Sequence, residues 1–110
     1  MQQLAVDELA PLCHAQPQRV VLLDVREPWE IAVARLNLDG VPTATIPMAE
    51  IPQRMAELDP SQFIVCLCHH GMRSQQVVAF LSRQGFDSVY NLAGGIDAWS
   101  LAIDPTVPRY

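Results

Sequence analysis

The segment richest in side chains that could take part in a reaction runs from Cys68 to Ser74 and reads Cys-His-His-Gly-Met-Arg-Ser. It follows the apolar run 63–67 and precedes a helix-like stretch. A loop wrapped ahead of a helix N-terminus turns backbone N–H groups inward and binds anions. Gly71 supplies the permissive backbone that such a turn needs, and Ser74 is a good helix cap. We therefore predict that Cys68 is a nucleophile held in its thiolate form.

A helix dipole alone is too weak for this task. An unperturbed cysteine is only about 3% thiolate at pH 7, and half ionisation needs about 2 kcal/mol of additional stabilisation. A helix N-terminus typically contributes ~0.3–1 kcal/mol. We expect the loop N–H donors and the guanidinium of Arg73 to supply the remainder.

A second strand-to-helix junction carries Asp24 and Arg26, directly after the apolar run 20–23. We interpret the two residues as an ion pair or cap that holds this junction and the cysteine loop together. Direct catalysis by Asp24 is disfavoured, because a carboxylate beside a thiolate destabilises the thiolate.

The remaining potential ligands near Cys68 do not match a known metal site. Cys66, His69 and His70 complete a Cys-x-Cys-His-His sequence, but adjacent histidines in a tight loop are expected to point in different directions, and the spacing matches no common zinc arrangement. We predict no metal and no cofactor. His69 and His70 are expected at the mouth of the loop, where partial positive charge attracts anionic donors below neutral pH. Cys66 is interpreted as core filling, with a resolving thiol as the alternative.

Length and charge exclude several classes of protein. A chain of 110 residues, half of them hydrophobic, is predicted to form one folded domain over 1–110. Its seven basic residues are all arginines against 12 acidic residues, so no basic stripe is available for nucleic acid or anionic membranes. The absence of lysine also excludes Schiff-base chemistry.

The beginning of the chain and its cysteine count favour a cytoplasmic protein. The first eight residues are acidic where a secretory signal would be basic, and no apolar run approaches the ~20 residues of a membrane span. Three cysteines without an export signal indicate reduced thiols rather than a disulfide framework.

Short apolar runs alternate with helix-like stretches and position the two reactive junctions. Strands are predicted at 3–4, 20–24, 45–46, 63–67 and 89–92, and helices at 6–12, 27–34, 51–58, 74–84 and 96–101. This alternation is typical of an α/β layer fold, whose reactive sites lie at the carboxyl ends of the strands. The segment 104–110 is expected to be extended.

Four motifs resemble the single-domain rhodanese-like (thiosulfate sulfurtransferase) family. They are Leu23-Asp24-Val25-Arg26-Glu27-Pro28, Cys68-x-x-Gly71-x-Arg73-Ser74, Gly85-Phe86 and Leu92-x-Gly94-Gly95-x-x-Ala98-Trp99. The resemblance covers about the whole chain and implies a five-stranded, mostly parallel central sheet flanked by helices on both faces. One departure is Thr43, which stands where the family has glycine and which puts one turn geometry in question.

The resemblance also implies a mechanism and a set of site residues. Cys68 would attack the outer sulfur of a small anionic donor such as thiosulfate and become a persulfide, from which a thiol or cyanide removes the sulfur. The substrate-binding loop would be formed by His69, His70, Gly71, Met72, Arg73 and Ser74, with Arg73 binding the oxyanion end of the donor. Asp24 and Arg26 would support it.

Three other functions stay open at this point. The chain could be a persulfide carrier that takes sulfur from a relay partner protein. A phosphatase or arsenate reductase is a distant third, because four residues separate Cys68 from Arg73, whereas those families have five. An inactive regulatory domain is disfavoured because the nucleophile is present.

Overall fold

The computed structural model describes residues 2–110 and contains a five-stranded sheet. The strands are β1 (Gln3–Leu4), β2 (Val20–Asp24), β3 (Thr43–Thr45), β4 (Phe63–Leu67) and β5 (Val89–Leu92), in the order β1-β5-β4-β2-β3. Every pair of neighbouring strands is parallel. The central strands β2 and β4 are almost uniformly apolar because both of their faces are covered. The predicted α/β fold is confirmed.

Helices cover both faces of the sheet. They are α1 (Leu9–Ala15), α2 (Pro28–Val33), α3 (Ile51–Arg54), α4 (Met72–Arg83) and α5 (Gly95–Ala102). Successive residues of a strand point to opposite faces. Leu23 of β2 and Cys66 of β4 therefore lie in a core with α3 and α4, whereas Leu22 and Val65 lie in a second core with α1 and α5.

Several elements differ from their predicted bounds; α1, for example, begins at Leu9 after a 3₁₀ turn at Val6–Glu8 and ends at Ala15, rather than spanning 6–12. β3 occupies 43–45 rather than 45–46, because Thr43 pairs with Leu22 at the sheet edge, where polar residues are tolerated. Thr43 is exposed there, so its side chain is accommodated. The helix predicted at 51–58 is α-helical only over α3 and is flanked by 3₁₀ turns at Met48–Glu50 and Met55–Glu57.

The register of β2 and β4 brings the two reactive junctions together. Asp24 pairs with Leu67, so the residues that follow the two strands start side by side. The N–H of Val25 donates to the carbonyl of Leu67 at 3.1 Å, which extends the pairing by one residue. Within residues 2–110, no helix has the length and apolar character required to cross a membrane.

Candidate active site

The sulfur of Cys68 lies among donors supplied by the start of α4. The N–H of Gly71 donates to Sγ at 3.1 Å and that of Ser74 at 3.4 Å, and the Ser74 hydroxyl lies 3.3 Å away. The loop amides therefore face inward, an arrangement that stabilises an anionic sulfur. The sulfur is also enclosed, since Cys68 is only 1% exposed.

Gly71 has the backbone conformation that this turn requires. Its φ of +96° lies in the left-handed region, and it is the residue before α4. α4 consequently begins at Met72, two residues earlier than predicted. The expectation that Ser74 caps the helix is wrong: Ser74 lies in the first turn, and its N–H points to the sulfur.

The N-terminus of α5 holds the carbonyl side of the loop. The N–H of Ile96 donates to the Cys68 carbonyl at 2.9 Å, and the N–H of Asp97 donates to the His69 carbonyl at 3.1 Å. A Cβ on Gly95 would lie 2.5 Å from both carbonyl oxygens, so only glycine permits this approach. Because α5 binds the loop carbonyls, the amides that follow remain available to the sulfur.

Asn91 at the end of β5 is a site residue that sequence reasoning missed. Its side-chain amide donates to the carbonyl of Gly71 at 3.2 Å and to Gln3 Oε1 at 3.0 Å, and its Oδ1 accepts the Ser74 hydroxyl at 2.5 Å. The single hydroxyl proton of Ser74 is thus directed to Asn91, which leaves the backbone N–H groups as the main donors to Cys68. The signal available in the sequence was a polar residue inside the apolar strand 89–92.

Arg73 makes a bidentate ion pair with Glu30 of α2. Its two terminal nitrogens lie 2.7 Å from the two carboxylate oxygens. The hydrogen bonds from Arg73 are the main reason that the pKa of Glu30 is lowered to about 2, so the carboxylate is ionised at neutral pH. Sequence reasoning missed Glu30. The donor-binding role of Arg73 stays a prediction, because its charge is already balanced here.

Asp24 and Arg26 form a buried ion pair beside the loop. The Arg26 guanidinium donates to the carboxylate at 2.9 and 2.7 Å, and Arg26 is 0% exposed. It also donates to the carbonyls of Glu30 and Ala34, at 3.3 and 2.7 Å. Arg26 therefore joins the end of β2 to α2, and its guanidinium is neutralised by Asp24 rather than available to a substrate.

Tyr110 contacts both junctions, which the sequence did not indicate. Its hydroxyl accepts from Arg26 Nη1 at 3.1 Å and donates to Glu30 Oε2 at 2.6 Å. Its ring stacks on His69 with a centroid distance of 3.9 Å and an angle of 8°. Burial raises the pKa of Tyr110 to about 12, so the hydroxyl keeps its proton and remains a donor.

The two histidines lie at the rim of the loop, stacked on each other. Their ring centroids are 3.9 Å apart, so the expectation that they point in different directions is wrong. Burial, and then the neighbouring His70, lower the pKa of His69, which favours its neutral form. His70 is exposed and lies 3.8 Å from Asp97.

His69, His70 and Asp97 could in principle act as metal ligands, because their ligand atoms lie within 4.8 Å of one another. Asp97 is already paired with Arg109 at 2.9 Å. Because the two imidazole rings are stacked, their lone pairs lie in nearly parallel planes and do not converge on one ion. The absence of a metal from the functional protein stays a prediction.

The other residues near the site divide into buried and exposed groups. Cys66 is buried in β4, and burial, followed by the nearby Cys68, raises the pKa of its thiol. Met72 is 72% exposed beside Arg73. A cavity of about 430 Å³ lies between α2 and β3; Asp24 and Arg26 line it, whereas the cysteine loop does not.

The rhodanese-like domain family matches residues 5–102 of the chain. The chain belongs to this family. It is 43% identical over 93 residues to rhodanese-like/PpiC domain-containing protein 12, chloroplastic, of Arabidopsis thaliana, a match that covers 81% of this chain but only 30% of that relative. The chain therefore spans less than a third of the length of that protein.

Two bacterial relatives have lengths closer to that of this chain. A sulfurtransferase of Allochromatium vinosum is 41% identical over 87 residues, covering 78% of this chain and 77% of the relative. The thiosulfate sulfurtransferase GlpE of Pseudoalteromonas translucida is 34% identical over 90 residues, covering 82% of each chain. The crystal structure of a rhodanese-like domain protein from Staphylococcus aureus superposes with a TM-score of 0.79 at 27% identity, covering 100% of this chain and 99% of that one.

Proposed function

We propose that this protein is a sulfurtransferase that carries a sulfane sulfur as a persulfide on Cys68. The observation that carries the proposal is the pair of backbone N–H groups, of Gly71 and Ser74, that donate to the Cys68 sulfur at 3.1 and 3.4 Å. The names of the two bacterial relatives support a sulfurtransferase, and one of them names thiosulfate.

The proposed reaction has two displacement steps. In the first, the Cys68 thiolate attacks the outer sulfur of thiosulfate; the sulfur–sulfur bond of the donor breaks, and sulfite leaves with the electron pair. In the second, a thiolate or cyanide attacks the outer sulfur of the persulfide, and the Cys68 thiolate leaves. The N–H groups of Gly71 and Ser74 stabilise the sulfur anion on which both steps depend.

The rest of the loop would shape donor binding. Arg73 is the nearest cation for the oxyanion end of the donor, but it must share or leave Glu30 to bind it. His69 and His70 lie at the rim, stacked on each other, where they would contact an entering donor.

Persulfide transfer from a partner protein is a second candidate that a specific observation favours. Glu30 balances Arg73 and Asp24 balances Arg26, so the loop presents little net positive charge to a small dianion. A relay partner would deliver a neutral or singly charged persulfide instead, and would not need that charge.

A cytoplasmic location stays a prediction.

Intact mass after thiosulfate treatment tests the proposal. The parent protein should gain one sulfur atom that cyanide removes, Cys68→Ser should gain none, and Cys66→Ser should behave like the parent. Gain of sulfur by Cys68→Ser, or no gain by the parent from any persulfide donor, would overturn the proposal. Loading from a protein persulfide, together with no saturation by thiosulfate, would identify the carrier.

A further inference from the structure

The segment 104–110 returns from α5 to the rim of the cysteine loop and is anchored on the way. Val107 is buried in the core beside α5, and its carbonyl accepts the Ser100 hydroxyl at 2.6 Å. Arg109 then pairs with Asp97 at 2.9 Å. These contacts place Tyr110 over the loop in a defined position, although 104–110 has no regular secondary structure.

Tyr110 contacts groups on both sides of the rim. Its ring stacks on His69, the residue directly after Cys68, and lies edge-on to the ring of Trp29 at 6.0 Å. Its hydroxyl holds the same Glu30 carboxylate that holds Arg73. One side chain therefore restrains both an imidazole and an ion pair next to the reactive sulfur.

The restrained residues His69 and Arg73 belong to the same loop as Cys68. His69 lies between the rings of Tyr110 and His70, 3.9 Å from each, and its Nε2 is buried without a hydrogen-bond partner among residues 2–110. Cys68 is only 1% exposed, and Arg73, whose guanidinium is held by Glu30, directly precedes Ser74, whose N–H donates to the Cys68 sulfur. Groups that Tyr110 holds therefore flank Cys68 along the loop.

We propose that Tyr110 is a positioning residue that limits the size of the molecules that react with Cys68. It holds His69 and the Glu30–Arg73 pair across the entrance, so small donors pass between them and bulky ones do not. The claim that Tyr110 selects among sulfur donors rests on the proposed function. The claim that Tyr110 limits access to the Cys68 thiol does not.

Two alkylating reagents of different size test the proposal, in a Cys13→Ser background that leaves Cys68 as the reactive thiol. We expect Tyr110→Ala to raise the rate with pyrenyl maleimide about tenfold and to change the rate with iodoacetamide little, because one aromatic stack and two hydrogen bonds are lost. Tyr110→Phe keeps the stack and should show a smaller rise. Tyr90→Phe, at the only other tyrosine, is the matched control and should change neither rate.

The ratio of the two rates is the decisive measurement. A variant that merely loosens the fold would raise both rates together, so an unchanged ratio would overturn the proposal even if Tyr110→Ala is less stable. Mass after thiosulfate treatment, measured on the same variants, separates the two claims. A changed ratio without a persulfide contradicts the proposed function alone, and a persulfide with an unchanged ratio contradicts the role of Tyr110 alone.

Discussion

The junctions after β2 and β4 start side by side, yet they handle charge in opposite ways. After β2, Arg26 gives its hydrogen bonds to Asp24, to backbone carbonyls and to Tyr110, so the junction is electrostatically closed. After β4, the N–H groups of Gly71 and Ser74 donate to the Cys68 sulfur, an acceptor that can exchange its hydrogen-bond partners. The Cys68 sulfur thus accepts from main-chain donors, whereas the charged side chains of the neighbouring junction are engaged with each other.

The largest expected effect tests the closed junction. Arg26→Met leaves the buried Asp24 carboxylate without its partner and should lower the free energy of unfolding by about 3–5 kcal/mol. Urea unfolding at pH 7 measures the loss. Arg54→Met, at a partly exposed arginine that also contacts two carboxylates, is the control and should change little. Equal losses in the two variants would show that the buried pair has no special structural role.

The next largest effect tests the reactive junction. Gly71→Ala puts a Cβ 3.2 Å from the Gly94 nitrogen and strains a φ of +96°, so the loop must shift its amides. We expect kcat/KM for sulfur transfer to fall by about 100-fold, as when an oxyanion donor is lost. Gly85→Ala has a similar φ of +94° and open space around the new Cβ. It should cost stability only, and a comparable fall in its activity would contradict the role assigned to the loop.

A pH dependence distinguishes the Glu30–Arg73 pair. The pKa of Glu30 is lowered to about 2 on folding, so the pair stabilises the folded state fully above the unfolded pKa of the carboxyl group. That contribution, about 3 kcal/mol, should disappear as the pH falls from about 4.5 to 2. Urea midpoints of the parent and of Glu30→Gln should therefore converge over this interval. A constant difference between them would mean that Glu30 does not titrate with the fold.

The smallest of these effects tests how β5 supports the loop. Asn91→Leu removes the amide that binds the Gly71 carbonyl and the Ser74 hydroxyl, and should cost about 1–3 kcal/mol of stability. The pH dependence of Cys68 alkylation should also change, because the Ser74 proton becomes available to the sulfur. Ser100→Ala removes another buried hydrogen bond, to Val107, and should leave that pH dependence unchanged. If both variants behave alike, Asn91 acts only on stability.

Local patterns predicted the central strands well and singled out Cys68, whose reactivity stays a prediction. The apolar runs at 20–24 and 63–67 could be recognised because burial on both faces leaves no polar positions. The edge strand β3 begins two residues before its predicted start, because Thr43 and Thr45 face solvent and give no apolar signal. Cys68 could be found because glycine, arginine and serine follow it within the same loop.

The partners of the loop could not be predicted in this way, because they come from distant parts of the chain. Glu30 reaches Arg73 across 43 residues, and Tyr110 reaches Glu30 across 80. Such contacts depend on strand order and on the path of 104–110, neither of which has a local pattern. Asn91 carried a weak signal, but its role depends on the pairing of β5 with β4 beneath the loop.

The burial of Cys66 bears on the lifetime of the proposed persulfide on Cys68. Its thiol lies two residues from Cys68, yet its raised pKa keeps it protonated within the apolar core. A protonated thiol is a poor nucleophile, so it does not attack a persulfide next to it to close a disulfide and expel the extra sulfur as sulfide. If Cys68 carries a persulfide as we propose, the loaded form would be protected from its nearest cysteine and would need an acceptor from outside.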